Sequence, residues 1–282
     1  MTQLIDSVEL TDQWNNNTMA VDEDGVYFVT NGVDADEKCT WGLLHSYSYD
    51  PVSRTIAQRW NYSYKNCGIL KTGLKNIGSG TTPSIMVNRS NGKKYVTFAD
   101  NDNPQFNVVV VDQQDGSLVA EVPVLPDERG CDEASFIAVD STIVPENNYG
   151  HTANWPESQL IPNEPGMLRI DIDPSNTSQP ASTIWYDQQD CFFAMSMLCR
   201  ESGIIFAHTG HWNDEISATE GAMYQISAID SHDGRGIWSI PLGRGADYCH
   251  EYGGVYFDHD GALYVGTNQY LFTIKNDTSA QN

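Results

Sequence analysis

An aspartate followed by a tight turn recurs about every sixty residues, and no other feature constrains the fold of this chain as much. The clearest copy runs Ala228-Ile229-Asp230-Ser231-His232-Asp233-Gly234-Arg235-Gly236-Ile237-Trp238. Ala228 and Asp230 end one strand, and His232-Asp233-Gly234 turn the chain. Ile237-Trp238 open the next strand, where an indole can pack over a neighbouring sheet. A weaker copy stands at Val110, Asp112 and Gly116, with Ala120 in the tryptophan's place. Tyr49-Asp50-Pro51 leads to Trp60, and Ile172-Asp173-Pro174 leads to Trp185. The successive separations of Asp50, Asp112, Asp173 and Asp230 are 62, 61 and 57 residues. A period of that size built from strands indicates a propeller or a solenoid.

Each period opens with a short strand, a turn and a second strand. Ser84-Ile85-Met86-Val87 turns at Asn91-Gly92 into Tyr95-Val96-Thr97-Phe98, and Gly254-Val255-Tyr256-Phe257 turns at Asp260-Gly261 into Leu263-Tyr264-Val265-Gly266. These β-branched and aromatic runs alternate with turn residues, and no window carries a 3.6-residue apolar stripe. The chain reads as all-β, a single β-propeller domain over 1–282. The last unit has three strands, and Ser7-Val8-Glu9-Leu10 fits the outer strand of a blade. A strand there would complete the last blade and close a five-bladed ring without free edges. The alternative is part of a larger seven- or eight-bladed ring.

The Ala-x-Asp-x3-Gly-x3-Trp run at 228–238 resembles the repeat of the quinoprotein alcohol dehydrogenase-like propeller group. That resemblance implies the fold. Dehydrogenases of that group carry an adjacent cysteine pair and a Ca²⁺ site beside pyrroloquinoline quinone. This chain has no Cys-Cys pair, so neither the quinone nor the activity is expected, and function must be argued from the site.

A net charge of −23 excludes phosphate-backbone recognition, which needs clustered Lys and Arg. No stretch has the roughly 18 apolar residues of a membrane span. Nucleic acid and membrane are therefore not expected partners. Six cysteines in a turn-rich acidic chain are consistent with disulfides, including a Cys191–Cys199 loop, or with buried thiols. Five Asn-x-Ser/Thr sites add to an expectation of a secreted or extracytoplasmic protein, with a cytoplasmic one as the alternative.

Polar residues concentrate in the loops that lead into the innermost strands and out of the second strands. Glu133, Glu146 and Glu251, with His151, His208 and His250, are the expected catalytic groups. Carboxylates gathered out of water have their pKa values pushed apart, so one serves as acid and another as base. Such a site suits hydrolase or lyase chemistry on a sugar-derived, lactone or other small polar substrate. Asn17, Asn147, Tyr149, Trp212 and Tyr252 are expected to bind that substrate. Metal ligation by Zn²⁺ at His208 and His211, or by Ca²⁺ at Asp100 and Asp102, is the other option. Trp14, Trp155 and Trp212 are candidate stacking platforms for carbohydrate, whereas Trp60, Trp185 and Trp238 are expected to pack blades. The alternative function is a binding or assembly propeller without catalysis.

Overall fold

The computed structural model describes residues 4–34, 39–89, 91–125, 129–151, 163–192, 195–212, 220–250 and 253–276. The chain divides into two compact units, one of 1–145 with 170–183 and one of 146–169 with 184–282. Among the described residues the pairings in the sheets are antiparallel, and the main strands of each sheet follow one another in sequence.

The first unit contains two complete sheets. In the first, β1 (Gln13–Trp14) and β2 (Ala20–Val21) both pair with β3 (Val26–Gly32), followed by β4 (Trp41–Asp50) and β5 (Thr55–Lys65). The second runs β6 (Ser84–Val87), β7 (Lys94–Ala99), β8 (Phe106–Asp112) and β9 (Leu118–Val124). β8 is buried along nearly its whole length, which accounts for its continuous run Val108-Val109-Val110-Val111. Tyr27, Leu44 and Tyr64 of the first sheet share one core with Val96, Phe98 and Val109 of the second. A third sheet, β10 (Ile137–Val139), β11 (Thr142–Val144), β12 (Met167–Ile172) and β13 (Ala181–Asp187), has residues in both units.

The second unit contains the other two sheets. β14 (Cys191–Phe192) and β15 (Met197–Cys199) pair with β16 (Ile204–His211), followed by β17 (Met223–Asp230) and β18 (Gly236–Arg244). A 3-10 turn at Ala246–Tyr248 leads to β19 (Val255–Phe257), β20 (Leu263–Gly266) and β21 (Leu271–Ile274). Ile226 of β17 packs on Val255, Leu263 and Val265, so these two sheets also lie face to face.

The sixty-residue period is realised atom by atom. Asp50, Asp112, Asp173 and Asp230 each accept, through Oδ1, the backbone N–H two residues on, from Val52, Gln114, Ser175 and His232 at 2.8, 2.8, 3.0 and 2.8 Å. Gly116 and Gly234 then take left-handed φ values of 74° and 75°. Trp60 lies against Gly116 and donates Nε1–H to Gln113 O at 3.0 Å. Trp185 lies against Gly234 and donates Nε1–H to Ser231 O at 3.0 Å. Both indoles therefore dock on the turn of the next sheet, as expected. Trp238 instead leans on Phe206 of its own sheet, at 5.9 Å between ring centroids, and stays 39% exposed.

Two expectations are corrected. Residues 7–10 form no strand; Asp6 beside them accepts Ile56 N–H of β5 at 2.7 Å. No disulfide forms, all six cysteines being free. Cys191 pairs with Gly210 and Cys199 with Ile204 on the same strand β16. Six strand residues span roughly 20 Å, far beyond the ~7 Å limit between bridged Cα atoms. Among the described residues no helix is long and apolar enough to cross a membrane.

Candidate active site

The second unit gathers four of the six expected catalytic side chains. Glu146 follows β11 in sequence, and its backbone bridges to Met167. Its carboxyl is buried, Oε1 accepting Ser196 N–H at 3.1 Å. Burial pushes its pKa up to about 7, against the lowering effect of the Ser196 bond. His208, on β16, is fully buried and stacks on Tyr224 of β17 with centroids 5.3 Å apart and planes at 7°. Its Nε2 lies 3.1 Å from Tyr248 O. A carbonyl only accepts, so Nε2 carries the hydrogen. His250 lies 5.8 Å from His208 between ring centroids. Its Nδ1 accepts Gly253 N–H at 2.9 Å, which places its hydrogen on Nε2 as well.

Burial lowers the pKa of His208 to about 3, with His250 and His151 adding repulsion, and lowers that of His250 to about 4. Both imidazoles are thus neutral at pH 7. A short backbone path joins the groups. Gly253 donates to His250, Met195 N–H donates to Gly253 O at 3.0 Å, and the adjoining Ser196 N–H donates to Glu146. His151 is buried and within electrostatic reach of His208. The second unit therefore holds a buried carboxyl whose pKa is raised to about 7 and imidazoles held as neutral tautomers. That combination can deliver or remove a proton near neutral pH.

Glu133 belongs to the first unit. Its Oε2 accepts Lys75 N–H at 3.2 Å, and burial raises its pKa to about 7. The loop at 78–82 lies beside it: a Cβ on Gly80 would fall 2.1 Å from Glu133 Oε2, and Asn17 Nδ2 donates to Gly80 O. Asn17 and Glu133 thus meet the same glycine. Glu251, Tyr252 and Trp155 lie outside the described residues.

Other expectations come out differently. Asn147 is buried in a local turn, accepting Tyr149 N–H at 3.0 Å and donating to Pro165 O at 3.3 Å. Tyr149 follows it in that turn, its carbonyl accepting Glu164 N–H at 2.9 Å. Trp212 packs against Cys191, Ala222, Tyr224 and Cys249, so its ring belongs to a core rather than to an open platform. Trp14 is 64% exposed.

The expected metal ligands do not converge. His208 and His211 stand three apart on a strand, which places them on opposite faces. His211 Nδ1 is 3.1 Å from Asp190 Oδ1, and its Nε2 is 2.7 Å from Gln225 Nε2. Asp100 accepts Asn107 N–H and Asn107 Nδ2–H, each at 2.6 Å, and Asp102 N–H at 3.2 Å. Asp102 lies 3.5 Å from the Lys65 ammonium. These carboxylates are engaged by protein donors in an Asx-turn connection. Among the described residues only Asp22, Glu23 and Asp24 bring three ligand atoms together, and the Lys94 ammonium bonds all three.

A cleft of about 550 Å³ opens elsewhere in the second unit, between the end of β13 and the turn before β18, lined by residues that include Trp185, Tyr186, Asp190 and Asp233.

No family model and no curated protein matches the sequence. Solved structures do. The quinohemoprotein alcohol dehydrogenase ADHIIG from Pseudomonas putida HK5 superposes with a TM-score of 0.56 at 11% identity, over 93% of this chain and 41% of its own. Kluyveromyces lactis Hsv2 gives 0.46 at 12% identity, over 97% and 66%. An exo-beta-1,3-galactanase from Phanerochaete chrysosporium gives 0.43 at 10%, over 88% and 54%. The chain spans less than half the length of the dehydrogenase.

The likeness to the dehydrogenase shows a β-propeller fold.

Within that propeller three supporting residues were missed from sequence. Tyr224 reads as ordinary strand core yet stacks under His208. Ser196 acts through its backbone, which no side-chain pattern reveals. Gly253 carried a usable signal, the Gly253-Gly254 pair after His250. A Cβ on Gly253 would fall 1.9 Å from His250 Cε1, so only glycine admits the imidazole.

Proposed function

We propose that this propeller is an acid–base enzyme, a hydrolase or lyase acting on a sugar-derived, lactone or other small polar substrate, with its site at Glu146, His208 and His250. The observation that carries this reading is the buried Glu146 carboxyl, held near pH 7 in the same unit as two neutral, tautomer-fixed imidazoles. Groups with matched pKa and fixed geometry typically contribute about 10²–10⁴ in rate. Glu146 exchanges the proton, and His250 presents Nε2–H to an oxygen of the substrate.

The test is turnover of 4-nitrophenyl glycosides, aldonolactones and polyuronates. One of these classes should be consumed, and Glu146→Gln should reduce its kcat at least 100-fold with an unchanged melting temperature at pH 5. Full activity of a folded Glu146→Gln protein would remove Glu146 from the chemistry. The second reading, a binding propeller without catalysis, is favoured by one observation, the open aromatic cleft beside Trp185. It predicts saturable ligand binding that Glu146→Gln leaves untouched.

A further inference from the structure

The cleft beside Trp185 has a wall that is already rigid. The indole is fixed by its bond to Ser231 O and by its packing on Gly234. A ligand meeting it has no ring to immobilise, which removes one cost of binding. Gln188 and Gln189 also line the cleft and supply amides that both donate and accept. The volume, about 550 Å³, falls within the usual range for a ligand site.

The charges narrow the ligand. No lysine or arginine lines the cleft, whereas Asp187, Asp190 and Asp233 do. Anions are therefore repelled. The carboxylates are also partly engaged already, which weakens them as partners for a cation. Asp187 accepts Gln189 N–H at 2.8 Å, Asp233 accepts Arg235 N–H at 3.0 Å, and Asp190 faces His211 at 3.1 Å. Arg169 is close by, donating to the same Ser231 carbonyl as the indole, at 3.0 Å. What remains is a set of single acceptor oxygens, amides and aromatic surface. Hydroxyl groups, which donate and accept at once, complement such a set, and the C–H face of a sugar complements the indole.

Two backbone hydrogen bonds link the cleft's Asp190 to the residue next to Glu146. Gly166 N–H donates to Asp190 O at 3.1 Å, and Asn147 N–H, next to Glu146, donates to Gly166 O at 2.8 Å. We infer that the Trp185–Asp190 cleft is a binding site for an uncharged oligosaccharide. This inference is independent of the acid–base reading, because it concerns binding alone.

Isothermal titration with cellotriose, maltotriose, mannotriose and galactotriose tests it, with spermidine as the cationic comparison. At least one trisaccharide should bind saturably, equally at 0.05 and 0.5 M NaCl. Replacing the exposed pair by Gln188→Ala and Gln189→Ala should weaken that binding at least ten-fold without lowering the melting temperature. Glu146→Gln should bind as the parent does, even if it abolishes turnover. No trisaccharide binding at millimolar concentration, binding indifferent to the glutamine pair, or salt-sensitive binding of spermidine alone would each overturn the inference.

Discussion

Glu146 and His208 depart from their ordinary protonation in opposite directions for one reason, burial, which disfavours whichever form is charged. The consequence for stability follows. The folded protein holds the Glu146 proton up to about pH 7, whereas an unfolded carboxyl loses it at 4.5. That contribution, ~3 kcal/mol, is fully present below pH 4.5 and is lost as the pH rises through 7. Glu133 acts with the same sign. His208 and His250 act oppositely, their contribution disappearing as the pH falls from 6.5 through about 4 for His250 and about 3 for His208. Urea unfolding at closely spaced pH values should show the stability of the parent relative to Glu146→Gln falling by about 3 kcal/mol between pH 4.5 and 7. A difference that does not change with pH would mean that Glu146 is solvated. Gly253→Ala forces a methyl into the His250 ring. It should displace the imidazole and reduce kcat at least ten-fold, with the loss read also as a changed His250 ¹⁵N shift. Glu146, His208 and His250 were singled out in sequence as polar residues of expected loops, but their burial, and the place of His208 within β16, were not legible there. Their backbone partners at Ser196 and Gly253 were not, since an amide N–H leaves no trace in residue type.

The recurring turn is the element that makes the fold readable. Its aspartate, its left-handed position and its docking tryptophan are each required by geometry, so the pattern survives in the sequence. At the left-handed position the first sheet carries Arg54, with φ 60°, where Gly116 and Gly234 stand later. Arg54→Gly should therefore raise stability by about 1 kcal/mol. The reverse experiment is harsher. A Cβ at Gly116 would lie 2.7 Å from Trp60 Cε3, and one at Gly234 would lie 2.8 Å from Trp185 Cδ2. Gly116→Ala and Gly234→Ala should each cost about 2–3 kcal/mol in chemical denaturation. A neutral result at either would show that the indole is not docked. Where the sequence misled, strand geometry was the reason. His208-x-x-His211 suggests one ligand pair only if both side chains share a face, and a period of two forbids that. Cys191 and Cys199 look close in sequence, but they pair near opposite ends of β16, with Gly210 and Ile204. Residues 7–10 have the composition of a strand without the pairing of one, because an edge is defined by its neighbour and not by its own pattern.

The whole molecule carries a charge of −23. Self-repulsion at that charge is screened within about 10 Å at 0.1 M salt. Raising NaCl from 0.05 to 0.5 M should therefore raise the melting temperature by several degrees, and a fall would argue that the surface ion pairs around Lys94 matter more than the net charge. At this scale fold class was legible and chemistry was not. The propeller follows from a period and a turn, whereas the reaction depends on which buried protons move. The central claim is that Glu146 is a buried acid–base group in the same unit as neutral imidazoles. Its most direct test is a ¹³C NMR titration of the side-chain carboxyls, with Glu146 assigned by its absence in Glu146→Gln. A midpoint near pH 7 is predicted, with His208 and His250 still neutral at pH 5. A midpoint near 4.5, with imidazoles titrating near 6.5, would contradict it.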